Sequence, residues 1–160
     1  MNKIPEGSLK NPLHFLALGF GSGTAPVAPG TFGTVAAIPV YLLLVQLPFV
    51  GYLFSVILIS VVGVYICGRT AEDWGVHDHS AIVWDEIAGF LVTMILAPVS
   101  VISVVLGFAY FRLFDIWKPF PISWLDKKVE GGFGIMIDDL LAGVFAAFLL
   151  QLSLYLLGKL

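Results

Sequence analysis

The stretch IVWDEIAGFLVTMILAPVSVISVVLGFAYFRLFDIW, residues 82–117, decides the fold. Its only charges are Asp85 and Glu86 near one end and Arg112 and Asp115 near the other, and Pro98 interrupts it. The run reads either as one overlong helix or as two spans. A proline in a helix interior removes a hydrogen bond and clashes with the preceding turn, so Pro98 is a natural break. The charges point the same way. One crossing would leave the two charged pairs on opposite sides of a membrane, whereas two crossings bring them to one side. Ala81–Ala97 and Val99–Trp117 are each long enough to span, provided the charged residues lie in the outer turns.

Three further apolar runs flank this pair. Thr31–Leu47 ends at Pro48, Gly51–Cys67 follows after a tight link, and Leu140–Leu157 comes last. The expected architecture is an all-α membrane protein, a single domain over residues 1–160, with about five transmembrane helices. Basic residues in short loops favour the cytoplasmic side. With the N-terminus inside, Lys3, Lys10, Arg69, Arg112, Lys118, Lys127 and Lys128 are cytoplasmic, and Lys159 alone is outside. Four spans would destroy that asymmetry. The polar site then faces the cytoplasm.

Composition agrees. The chain is 59% hydrophobic and 12% charged, against about 25% charged for a soluble domain. The net charge of −3 and the lack of a basic stripe argue against a nucleic-acid partner. Cys67 is the only cysteine, which excludes an intrachain disulfide and a cysteine metal cage; it reads as a small core residue. Lys3, Glu6 and Lys10 are followed by a segment dense in Gly, Thr and Pro rather than an apolar signal core, so the N-terminus reads as mature protein.

Nearly all the charge falls into two clusters, Arg69–Glu86 and Arg112–Asp139. Carboxylates beside intramembrane segments are costly unless they bind or do chemistry. Pro29–Gly30–Thr31–Phe32–Gly33–Thr34 opens the first span. Glycines let backbone N–H groups approach an anion, which makes Gly30, Thr31 and Thr34 candidate phosphate contacts; the plainer reading is a cap at Thr31. Asp85 and Glu86 point about 100° apart on a helix, so one can reach a metal while the other ligates from the side. Arg112 and Asp115, three apart, share a helical face, with Lys118 a turn further on; they serve either a phosphate or a structural ion pair. A Gly-rich run from Gly131 leads to Asp138 and Asp139 at the start of the last span.

Convergence decides between these readings. Asp85, Glu86, Asp115, Asp138 and Asp139 all fall near one membrane face, beside Arg112 and Lys118. Five carboxylates cannot stay ionised so close together in a poorly hydrated site without a cation. Hard oxygen ligands and few histidines point to Mg²⁺ with a phosphate substrate.

Pro29–Thr34, Val83–Gly89, Phe111–Pro119 and Gly134–Gly143 resemble, in order, the motifs of the bacterial phosphatidylglycerophosphatase A family. The resemblance runs from about Leu16 to the last span. It implies a Mg²⁺-dependent, multi-pass enzyme of the bacterial inner membrane that hydrolyses phosphatidylglycerophosphate to phosphatidylglycerol and phosphate. On that footing Asp85, Glu86, Asp138 and Asp139 are the expected metal ligands, and Arg112 and Lys118 the expected phosphate contacts. Asp115 orients Arg112 or acts as base or ligand, and Asp78 or His79 protonates the leaving glycerol oxygen. Other phosphatase chemistries do not fit, since there is no cysteine-phosphatase loop at Cys67 and no Asp-x-Asp nucleophile pair. The competing reading is a channel or transporter for a small ion. Small residues in the spans (Gly63, Gly89, Gly107, Gly143) suit helix packing either within the chain or in a homo-oligomer.

Overall fold

The computed structural model describes residues 4–159, so Lys3 lies outside the described residues. Within them the chain forms seven α-helices and no strand. A short helix, α1 (Pro12–Ala17), is capped by Asn11, whose Oδ1 accepts from the Leu13 N–H at 3.0 Å. Then come α2 (Pro29–Leu44), α3 (Phe49–Trp74), α4 (Trp84–Thr93), α5 (Val101–Trp117), α6 (Ile122–Lys128) and α7 (Gly131–Leu156). The last helix, α7, is the central post and packs against α3, α4, α5 and α6.

Two helices, α3 and α7, are long and apolar enough to cross a membrane, with mean hydropathies of 2.4 and 2.0. Only 22% of the most apolar window of α3 is covered by the rest of the protein. Phe54, Ile57, Leu58, Val61 and Tyr65 all stay exposed along it. Such a face is stable in lipid and not in water.

The other expected spans are shorter than the sequence pattern indicates. The expected Ala81–Ala97 helix is α4, ten residues long, or about 15 Å at 1.5 Å per residue. It runs out at Met94, and Leu96 takes a left-handed backbone (φ 61°) ahead of Pro98. Ser100 then caps α5 by accepting the Ser103 N–H at 3.0 Å. In contrast, α3 continues beyond Cys67, and its last turns carry Arg69, which pairs with Glu72 at 3.3 Å and Asp73 at 3.1 Å. The glycine-rich run before Asp138 is not a loop; it is the first two turns of α7, so both acids lie inside the helix.

Between apolar helices in lipid, close packing at small residues replaces the hydrophobic drive. Helices α4 and α7 meet at Gly89 and Gly143, where a β-carbon on Gly143 would sit 2.4 Å from the Gly89 carbonyl oxygen. The Thr93 hydroxyl ties the same crossing, donating to Gly89 O at 3.0 Å and reaching Gly143 O at 3.4 Å. Gly63 packs on Met136 and Trp84, and Gly107 on Met94. All four glycines thus serve contacts within the chain. Cys67 is fully buried with its thiol against the Met136 sulfur at 3.9 Å, as expected of a core residue.

Candidate active site

The start of α4, the end of α5 and the third turn of α7 meet at one end of the bundle around a cavity of about 330 Å³. Asp78, Asp85, Glu86, Asp115, Lys118, Asp126, Asp138 and Asp139 all contribute to its wall. Two residues from opposite ends of the opening stretch, Asp85 and Asp115, therefore face one chamber. The break at Pro98 folds the run back on itself.

The Gly89–Gly143 crossing builds the centre. Each glycine falls one turn after an acid, Asp85 in α4 and Asp139 in α7, so the close approach brings those two carboxylates together. Asp85, Glu86 and Asp139 offer oxygens that all lie within 4.8 Å of one another. Asp85 Oδ1 and Glu86 Oε2 are buried with no hydrogen-bond partner. Buried polar atoms are nearly always satisfied, and an unpaired buried carboxylate is among the costliest groups a protein can hold. Three converging carboxylates, two of them with an orphaned oxygen, fit a hard divalent cation.

Beside this triad lies Arg112. Its Nη1 donates to Asp115 Oδ2 and stands 3.9 Å from Glu86 Oε1. The three side chains are only 12–15% exposed, and removing one partner of such a buried pair costs about 3–5 kcal/mol. Gly30, at the start of α2, makes this arrangement possible. A β-carbon there would lie 2.2 Å from Glu86 Oε1 and 3.0 Å from Arg112 Nη1.

Lys118 closes the wall. Its Nζ donates to Asp138 Oδ2 at 2.5 Å and to Asp126 Oδ1 at 2.7 Å. Partial burial works against its charge, but the two carboxylates outweigh that and raise the ammonium above its usual value. Asp78 stands at the rim, where the cavity wall desolvates its carboxyl and raises it, with Lys118 opposing and Asp126 reinforcing the shift.

The structure sorts the expected residues. Asp85, Glu86 and Asp139 form the triad. Asp138 lines the same cavity outside it, with Oδ2 taken by Lys118 and Oδ1 buried without a partner. Gly30 makes its contact with Glu86 and Arg112. Thr34 does not reach the cavity, because its buried hydroxyl donates to Gly30 O at 2.9 Å inside α2. Thr31 is in the first turn of α2 and not its cap, and it is absent from the cavity wall. His79 also turns away: its ring stacks edge-on against Trp74 and its Nδ1 accepts the Ala81 N–H at 3.1 Å. His77 and Ser80 line the cavity instead. Asp126 is a charged wall residue that sequence reasoning left without a role. Its one signal was its place in the second charge cluster.

An apolar helical bundle with a carboxylate-lined chamber at one end defines a membrane-associated protein with an acidic site. The chain belongs to the phosphatidylglycerophosphatase A family, whose family model matches residues 15–154. It is similar to the Phosphatidylglycerophosphatase A of Escherichia coli (strain K12), 51% identical over 140 residues, covering 87% of this chain and 81% of the relative. It is also similar to the Phosphatidylglycerophosphatase A of Haemophilus influenzae, 47% identical over 147 residues, covering 91% and 90%. No solved structure gives a significant match.

Proposed function

We propose that this protein is a Mg²⁺-dependent lipid phosphatase that converts phosphatidylglycerophosphate to phosphatidylglycerol and phosphate. The observation that carries the reading is the triad Asp85, Glu86 and Asp139, within 4.8 Å of one another, with partnerless buried oxygens on two of its members. The relatives' names supply the substrate. Asp85, Glu86 and Asp139 would hold the ion, with Asp138 next to them in α7. When bound, Mg²⁺ neutralises phosphate charge and acidifies a coordinated water.

The chain's own residues do the rest. Lys118 meets the phosphate oxygens at the cavity wall, and Arg112, which is not part of that wall, adds positive charge from beside Glu86 and Asp115. Asp115 fixes the Arg112 guanidinium through its hydrogen bond. Asp78, raised and exposed at the rim, is placed to give a proton to the departing glycerol oxygen.

The lipid tails remain in the leaflet while the terminal phosphate reaches the chamber at headgroup depth. Asp139 precedes the end of α7 at Leu156 by roughly 26 Å, close to the hydrocarbon thickness of about 30 Å. This supports a chamber at one membrane face. On the same frame we take five passes, α2, α3, α4 with the segment that follows it, α5 and α7, with the chamber cytoplasmic; α4 alone, at about 15 Å, is too short to cross. The α2–α3 link (Val45, Leu47, Phe49) and the α4–α5 link (Met94, Leu96, Ala97) share a second cavity. Ion transport is not favoured, since the acids gather at one end of the bundle.

The test is purified protein in detergent given phosphatidylglycerophosphate, with Mg²⁺ or with chelator. Metal-dependent phosphate release that disappears in Asp85→Asn is expected. No release from the unaltered protein at saturating Mg²⁺ would refute the activity.

A further inference from the structure

We propose that Asp126 is a positioning residue that, together with Asp138, fixes the Lys118 ammonium at the chamber wall for contact with a phosphate oxygen. The inference rests on the phosphatase reading above and gives α6 a role within it.

Lys118 follows the last turn of α5 in a left-handed backbone (φ 43°), so the chain turns off the helix there. A lysine head is a compact charge on a flexible four-carbon stem. With one anchor it swings about that anchor, and a second anchor from another element removes the freedom. The two anchors here come from different helices. Asp138 belongs to α7 and its side chain is 8% exposed, whereas Asp126 belongs to α6 and is 39% exposed. An ammonium has three donor hydrogens, and these carboxylates use two. The third is available to an oxygen entering the cavity that Lys118, Asp126 and Asp138 all line.

The rest of α6 underlines the point. Trp124, Lys127 and Lys128 are exposed on the outside, with the Lys128 ammonium 5.6 Å from the Trp124 ring centroid. Asp126 is the α6 side chain that reaches the chamber. Asp126 does not touch the triad, and its hydrogen bond goes to Lys118; apart from its charge acting on Asp78 at the rim, its effect on phosphate binding passes through Lys118.

The experiment uses the full chain in detergent with Mg²⁺ and two readouts. One is the dissociation constant for inorganic phosphate. The other is KM and kcat for phosphate release from phosphatidylglycerophosphate. Asp126→Asn is expected to weaken phosphate binding and raise KM about five- to tenfold, with a smaller change in kcat. Asp126→Glu should recover most of the loss. In a Lys118→Met background, Asp126→Asn should cause no further weakening. Additive losses in the double variant would overturn the proposal. So would phosphate affinity equal to wild type in Asp126→Asn, or no phosphate binding by the unaltered chain. If the unaltered chain binds phosphate yet releases none from the lipid, the phosphatase reading fails, and the binding cycle still decides the role of Asp126.

Discussion

Gly143 packs so closely on Gly89 that a β-carbon on Gly143 would stand 2.4 Å from the Gly89 carbonyl oxygen. The obstruction is backbone, which cannot rotate out of the way. Gly143→Ala must therefore part α4 from α7, at a cost of about 1–3 kcal/mol for overpacking. The parting also pulls Asp139 from Asp85 one turn away. Thermal unfolding in detergent should fall together with turnover. An alanine variant equal to wild type in both would show that the crossing does not set the separation of the acids.

Gly30→Ala should behave differently. The added methyl group meets Glu86 Oε1 at 2.2 Å and Arg112 Nη1 at 3.0 Å, both ends of side chains. These can swing aside, so the fold should survive with little change in unfolding temperature. The displaced Glu86 and Arg112 lose their geometry, and a misplacement of about 1 Å can cost roughly a hundredfold in rate. A large drop in kcat with an unchanged thermal transition is expected. Normal kcat would mean that Glu86 needs no fixed position.

Metal binding can be read without turnover. A ligand at about 100 times its dissociation constant stabilises a folded protein by about 2.7 kcal/mol. Mg²⁺ should raise the unfolding temperature of the unaltered protein, and chelator should reverse the rise. Asp139→Asn removes one of the three converging carboxylates, and the Mg²⁺-dependent shift should shrink or vanish. A full shift in that variant would place the ion elsewhere.

Much of this site was legible in the primary structure because its charges interrupt apolar runs. Asp85, Glu86, Arg112, Asp115, Lys118, Asp138 and Asp139 stood out, and the run does break before Pro98, so that its two charged ends lie together at one end of the bundle. What could not be read was mostly long-range. Asp138 and Asp139 are neighbours in sequence, yet about 100° of helical rotation sends one to Lys118 and the other to the triad. The glycines from Gly131 read only as an approach to the last span, but a β-carbon on Gly132 would lie 1.9 Å from the Val64 carbonyl oxygen of α3. Glycine is needed because α3 passes so close there. Thr34 looked like a phosphate contact from its place in a Gly-rich run, yet its hydroxyl is taken by its own helix. Asp126 drew no notice among the lysines of α6, since nothing local says that it faces Lys118.

The last helix supplies Asp138 and Asp139 and is also the post on which α3, α4, α5 and α6 lean. A chain still being made therefore carries Asp85, Glu86 and Arg112 without the carboxylate that completes their cluster. Until α7 is seated, the chamber lacks two of its carboxylates and the other helices lack the post that brings their acids together.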